Sequence, residues 1–84
     1  MQKIGQITHF FDKIGVAVFS VEEGQVKLGD QIQIGDEGKE DTFTQTIESM
    51  QVDHQPVELA KNGDEVGLKL NQPTKPHTPV FLVQ

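Results

Sequence analysis

His9, His54 and His77 are the side chains of this chain best suited to metal or proton-transfer chemistry. A zinc site draws its ligands from one strand face or one helical turn, yet no two of these histidines stand at i, i+2 or i+4, and no carboxylate accompanies them at a ligand spacing. They read as ordinary surface histidines. The densest run of charge, Gly35-Asp36-Glu37-Gly38-Lys39-Glu40-Asp41, lacks the alternating ligand positions of a calcium loop. It reads as a solvated loop whose charges discourage edge-to-edge pairing. Ser20 and Ser49 have no flanking glycine and therefore no nucleophile elbow. Gly38-Lys39 is followed by Glu40 and has no glycine upstream at the spacing of a phosphate-cradling loop, so GTP binding is not expected. Cysteine is absent, which removes disulfides, thiolate metal sites and thiol nucleophiles. The expectation is a protein without metal, cofactor or catalytic activity.

The elements that would carry a site must come from one small core. Eighty-four residues make a single domain, 1–84, with no room for a second core. Apolar residues are 35% of the chain, low for a globular protein, but they fall in short ordered runs. Net charge is −6, and the seven cationic residues are all lysine. Without arginine, and with an acidic balance, general nucleic-acid binding is disfavoured, because it rests on phosphate neutralisation. A local contact to an RNA end is compatible with that balance; a protein partner is the first expectation. No stretch is long and apolar enough to cross a bilayer, and Met1-Gln2-Lys3-Ile4-Gly5 carries no apolar export core. A cytoplasmic protein with no membrane association is expected.

Period-two alternation dominates the chain. The stretch Gly24 to Ile34 alternates on both sides of a Gly29-Asp30 corner, and the corner recurs as Asn62-Gly63-Asp64. Glycine tolerates positive φ and aspartate satisfies backbone donors, so Gly24, Gly29, Asp30, Gly63 and Asp64 read as turn formers. Strands are predicted at Ile4 to Phe11, Val16 to Val21, Gln31 to Ile34, Phe43 to Val52, Glu65 to Leu70 and Val80 to Val83. Pro56 to Lys61 reads as an irregular or helical turn. Ala17, Phe19 and Val21 point inward, which turns Val16 and Val18 outward. The first strand changes parity between Ile7 and Phe10, and the fourth changes near Glu48-Ser49, each calling for a β-bulge. Pro73, Pro76 and Pro79 make Asn71 to Pro79 a surface loop. Val16 and Val18 are either covered by that loop, the preferred arrangement, or part of an exposed apolar patch that receives a partner. The fold class is all-β: a small closed six-stranded, Greek-key-like barrel.

From Ile4 to Leu70 the residues resemble domain two of the translational GTPases, the barrel that follows the G domain in elongation factor Tu. The resemblance rests on Val21-Glu22-Glu23-Gly24, Val26-Lys27-Leu28-Gly29-Asp30, Thr46-Ile47-Glu48-Ser49-Met50 and Ala60-Lys61-Asn62-Gly63-Asp64-Glu65-Val66-Gly67-Leu68, with Ile4, Ile7, Lys13, Ile32 and Ile34. The chain is also similar to the barrel at the C-terminus of some U32-type peptidases and to short free-standing translation-factor-like proteins. In elongation factor Tu the barrel helps hold the aminoacylated end of tRNA with an acidic pair, a threonine and an asparagine. The corresponding positions here are Gly5-Gln6, Val18 and Glu65, so the resemblance implies a barrel without that ligand. It implies a binding surface over Gln6, Thr8, Lys13, Val16, Val18 and Glu65. The reading is a non-catalytic module that docks on a protein or on the translation apparatus. The alternatives are an RNA-end binder of altered specificity and an accessory subunit of a larger, U32-peptidase-like enzyme.

Overall fold

The computed structural model describes residues 1–83. Its elements are β1 (Gln2–Phe11), β2 (Val16–Val21), β3 (Gln25–Lys27), β4 (Gln31–Ile34), β5 (Phe43–Thr46), β6 (Gln51–Val52), β7 (Gln55–Pro56), β8 (Leu59–Lys61), β9 (Glu65–Lys69) and β10 (Pro79–Val83). All the observed pairings are antiparallel. The main sheet runs β5-β4-β10-β1-β2-β9-β6-β7, and β3 pairs with β8 in a separate ribbon. The predicted all-β barrel is therefore present as a curled sheet, with β5, β4, β10, β1, β2 and β9 forming its main wall.

Alternation decides which face each strand buries. Ala17, Phe19 and Val21 are buried as predicted, with Ile4, Ile7, Ile32, Ile34, Val66, Leu68 and Val80 from the other strands in one hydrophobic cluster. A sheet wrapped on itself gives every strand an inside, so a low apolar content suffices: each inward residue is shared by strands on both sides. The parity change in β1 is a bulge, for Ile7 pairs with Phe19 and His9 with Val18, leaving Thr8 without a partner.

Three local readings need correction. The predicted fourth strand breaks, since β5 ends at Thr46 and pairing resumes at Gln51. A bulge would have kept the ladder. Instead the backbone of Ile47 turns to the Gly29-Asp30 corner, donating to Asp30 O (2.9 Å) and accepting from Gly29 N (2.8 Å). The segment read as an irregular or helical turn holds β8, paired with β3 through Val26 and Ala60. Those partners lie far apart in the chain, so no local period marks them. Finally, Asn71 to Pro79 does not cover Val16 and Val18. Its last turn bonds to β1, with His77 N donating to Ile7 O (2.7 Å) and Ile7 N donating to Thr78 O (2.8 Å).

The two corners share one hydrogen-bond device. Lys27 N donates to Asp30 Oδ2 (2.9 Å) and Lys61 N to Asp64 Oδ2 (3.0 Å). In return Asp30 N donates to Lys27 O (3.1 Å) and Asp64 N to Lys61 O (2.9 Å). Gly29 and Gly63 supply the positive φ, 93° and 98°, that swings each aspartate back over the turn. Each corner follows one strand of the β3–β8 ribbon, so the repeat in sequence is a repeat in structure.

The flanks of the curled sheet meet between β5 and β9, where no backbone ladder forms. One side chain spans the gap. Gln45, 8% exposed, donates from Nε2 to Lys69 O (3.0 Å) and accepts from Asn71 N at Oε1 (2.8 Å). A primary amide is the side-chain group that copies a peptide unit, one donor and one acceptor in one plane. Gln45→Leu is expected to leave both backbone groups unpaired and to cost about 2 kcal/mol, read from the urea midpoint. Asp64→Ala is expected to cost ~1–2 kcal/mol and Asp30→Ala the same order, with the double variant additive and Asp64→Asn recovering most of the loss.

Candidate functional site

The outer face of β1, β2 and β9 follows from their register. Phe11 pairs with Val16 and Val16 with Lys69; His9 pairs with Val18 and Val18 with Gly67; Gln6 pairs with Ser20 and Ser20 with Glu65. Outward residues of one row share a face, so Phe11 and Val16 stand beside Lys69, Val18 stands between His9 and Gly67, and the third row is polar throughout. Gly67 contributes no side chain, and a Cβ built there would meet nothing within 4 Å. The sheet therefore has a hollow where its neighbours have side chains.

That hollow is a depression of about 450 Å³ lined by Phe11, Ile14, Val16, Val18, Gln51, Asp53, His54, Glu65 and Gly67. Val16 and Val18 are half-buried in its wall. Phe11 and Ile14 are 50% and 61% exposed, so the rim carries two of the most exposed large apolar side chains of the chain. Phe11 stacks on His9 with ring centroids 6.2 Å apart, which holds the phenyl ring outward over β1. Asp53 and His54 form the two-residue turn between β6 and β7. Their φ values of 53° and 64° are those of a primed hairpin turn. This turn projects both side chains along the depression.

The predicted surface splits in the structure. Val16, Val18 and Glu65 come together in the depression. Gln6 does not join them: its Nε2 donates to Glu22 Oε2 (3.2 Å), which also accepts from Ser20 Oγ (3.1 Å). Thr8 spends its hydroxyl on the Val18 carbonyl (3.1 Å), so it braces the bulge. Lys13 lies exposed in the turn before Ile14 and is not among the lining residues. Gly5 leaves no room for an acid, because a Cβ there would fall on the Ser20 carbonyl oxygen. Sequence reading missed Phe11, Ile14, Gln51, Asp53, His54 and Gly67. The adjacent pair Phe10-Phe11 held a signal for the first, since consecutive strand residues cannot both face the core.

A second large concavity is more polar. A groove of about 440 Å³ runs along the seam beside Gln45, Glu48, Lys69 and Asn71, where the amide of Gln45 is already engaged. Among the described residues no three of His, Asp and Glu are grouped as a metal site. No helix of the described residues is long and apolar enough to cross a membrane.

The sequence model of elongation factor Tu domain 2 matches residues 15–75. An uncharacterized protease of Methanocaldococcus jannaschii is 35% identical over 83 residues, which are 98% of this chain and 20% of that protein. A collagenase of Porphyromonas gingivalis is 26% identical over 78 residues, 93% of this chain and 21% of that protein. The chain thus spans about a fifth of the length of the curated relatives it matches. Among solved structures, the C-terminal domain of a U32 peptidase from Geobacillus thermoleovorans superposes with a TM-score of 0.86 at 19% identity, covering 99% of this chain and 93% of that one. The selenomethionine form of the same domain gives 0.85 at 19% identity over 96% and 99%. The twin glycine–aspartate corners, the curled antiparallel sheet and the match over most of the chain lead to one assignment: this protein belongs to the elongation factor Tu domain 2 family.

Proposed function

We propose that this chain is a non-catalytic binding module of the cytoplasm that docks a protein partner through the depression on β1, β2 and β9. The observation behind the proposal is the combination of exposed Phe11 and Ile14, half-buried Val16 and Val18, and the open floor at Gly67. Burying two such side chains against a partner stabilises the complex by roughly 1.5–3 kcal/mol each, which is the scale of an interface anchor. The absent acidic pair and threonine of the tRNA-binding relatives support a changed ligand, since Gly5 and Val18 offer no polar grip there.

A second reading has its own support. The protease of Methanocaldococcus jannaschii carries a region 35% identical to nearly all of this chain. On that ground we propose that the partner surface can be that of a U32-type catalytic polypeptide, with this barrel as its accessory domain or subunit. A purified U32-type catalytic polypeptide should then bind this chain in gel filtration, and a clean separation of the two removes the accessory reading.

The docking reading is tested with a photo-crosslinking residue in place of Ile14, expressed in cells. Gln2 pairs with Leu82 at the opposite end of β1 from Phe11, so a tag at either terminus stays clear of the depression. Discrete protein adducts are expected from position 14 and not from the same residue placed at position 2. Gly67→Ile should fill the floor, keep the melting temperature within a few degrees and abolish the adducts. Adducts that survive both Gly67→Ile and Val18→Asp, or that never form, overturn the proposal.

A further inference from the structure

Charge around the depression is arranged on one side. Val52 pairs with Val66, and Asp53 follows the first as Glu65 precedes the second, at the same end of the β6–β9 ladder. Both carboxylates line the depression, and no lysine does. Among the described residues the one ion pair is Lys27–Asp30, at 3.0 Å, so neither Asp53 nor Glu65 has a cationic partner. His54, beside Asp53 in the same turn, also lines the depression. The nearest lysines flank the other end: Lys69 pairs with Val16, its stem running by Gly15, and Lys13 stands in the exposed turn with Asp12. Along β9 the charge thus changes sign from Glu65 to Lys69, a span of about 13 Å at ~3.3 Å per residue.

We propose that the depression accepts an extended protein segment whose apolar side chain enters over Gly67 and whose adjacent lysine or arginine reaches Asp53 and Glu65. This rests on the docking reading above and adds the chemistry of the partner. Two neighbouring carboxylates repel each other; a cation placed between them relieves that repulsion and gains an attraction strengthened by the apolar wall at its side. A phosphate backbone meets the opposite balance, two uncompensated negative charges at the point of entry. The reversal of sign along β9 also sets direction, with the basic residue at the Glu65 end and away from Lys69.

The test uses three fluorescein-labelled peptides that share a Leu-Phe pair followed by two lysines, two glutamines or two glutamates, with a short single-stranded RNA as a fourth probe. Fluorescence anisotropy with the intact chain should show the lysine peptide binding about tenfold tighter than the glutamine peptide at low salt, an advantage that shrinks as salt is raised. The double substitution Asp53→Asn with Glu65→Gln should erase that advantage, bringing the lysine and glutamine peptides to the same affinity as each other. Gly67→Ile should weaken both peptides at least tenfold while circular dichroism stays that of the parent. Equal binding of the lysine and glutamine peptides overturns the charge selection and leaves the docking face standing. Preference for the glutamate peptide or for the RNA overturns the inference outright, and failure of all the peptides together with absent crosslinks overturns both readings.

Discussion

Between β5 and β9 the barrel has no backbone ladder, and the Gln45 amide stands in for one by bonding to Lys69 O and Asn71 N. The rest of the molecule depends on that closure. A curled sheet with an open seam would admit water to the cluster that joins Ile4, Phe19, Ile32 and Val66. Among the described residues that cluster is the main source of hydrophobic stabilisation. The Gln45 side chain bridges the seam at the place where β5 and β9 form no ladder, and a polar groove runs beside it. The same amide leaves no polar atom of its own unpaired, in keeping with the absence of buried unsatisfied side-chain atoms among the described residues.

The corners at Gly29-Asp30 and Gly63-Asp64 complement the seam. Each reverses the chain at the end of one strand of the β3–β8 ribbon, using the same reciprocal bonds between an aspartate and the residue three before it. The first corner also receives Ile47 through two backbone bonds, which pins the chain as it leaves β5. The break in the predicted long strand and the position of the first corner are thus one feature. The chain must leave β4's neighbour and reach β9's neighbour, and the corner supplies the hydrogen bonds it loses on the way.

At the positions where the sequence resemblance placed an acidic pair and a threonine, this chain has Gly5, Gln6 and Val18. The first is buried against the Ser20 carbonyl, the second is tied to Glu22, and the third lines an apolar wall. A barrel keeps its shape through its inward residues, so the outward ones are free to change, and fold carries no commitment to ligand. Gly67 shows how little is needed: one missing side chain turns a flat sheet face into a depression.

Much of the fold was legible in the sequence because it is written in short-range terms. Period-two alternation marked β1, β2, β4 and β9 and their inward faces, glycine–aspartate pairs marked the corners, and a parity change marked the bulge at Thr8. What the residues could not announce are features made by partners distant in the chain. Ala60 became a strand residue because Val26 lay opposite it, and Gln45 became the seam because the curl brought Lys69 and Asn71 within reach. The site divides along the same line. Outward Val16 and Val18 follow from alternation alone, whereas Asp53 and His54 joined them only when pairing of β6 with β9 carried their turn to that face. Local sequence determines which way a side chain points from its own strand; which strand stands beside it is decided by closure of the whole sheet.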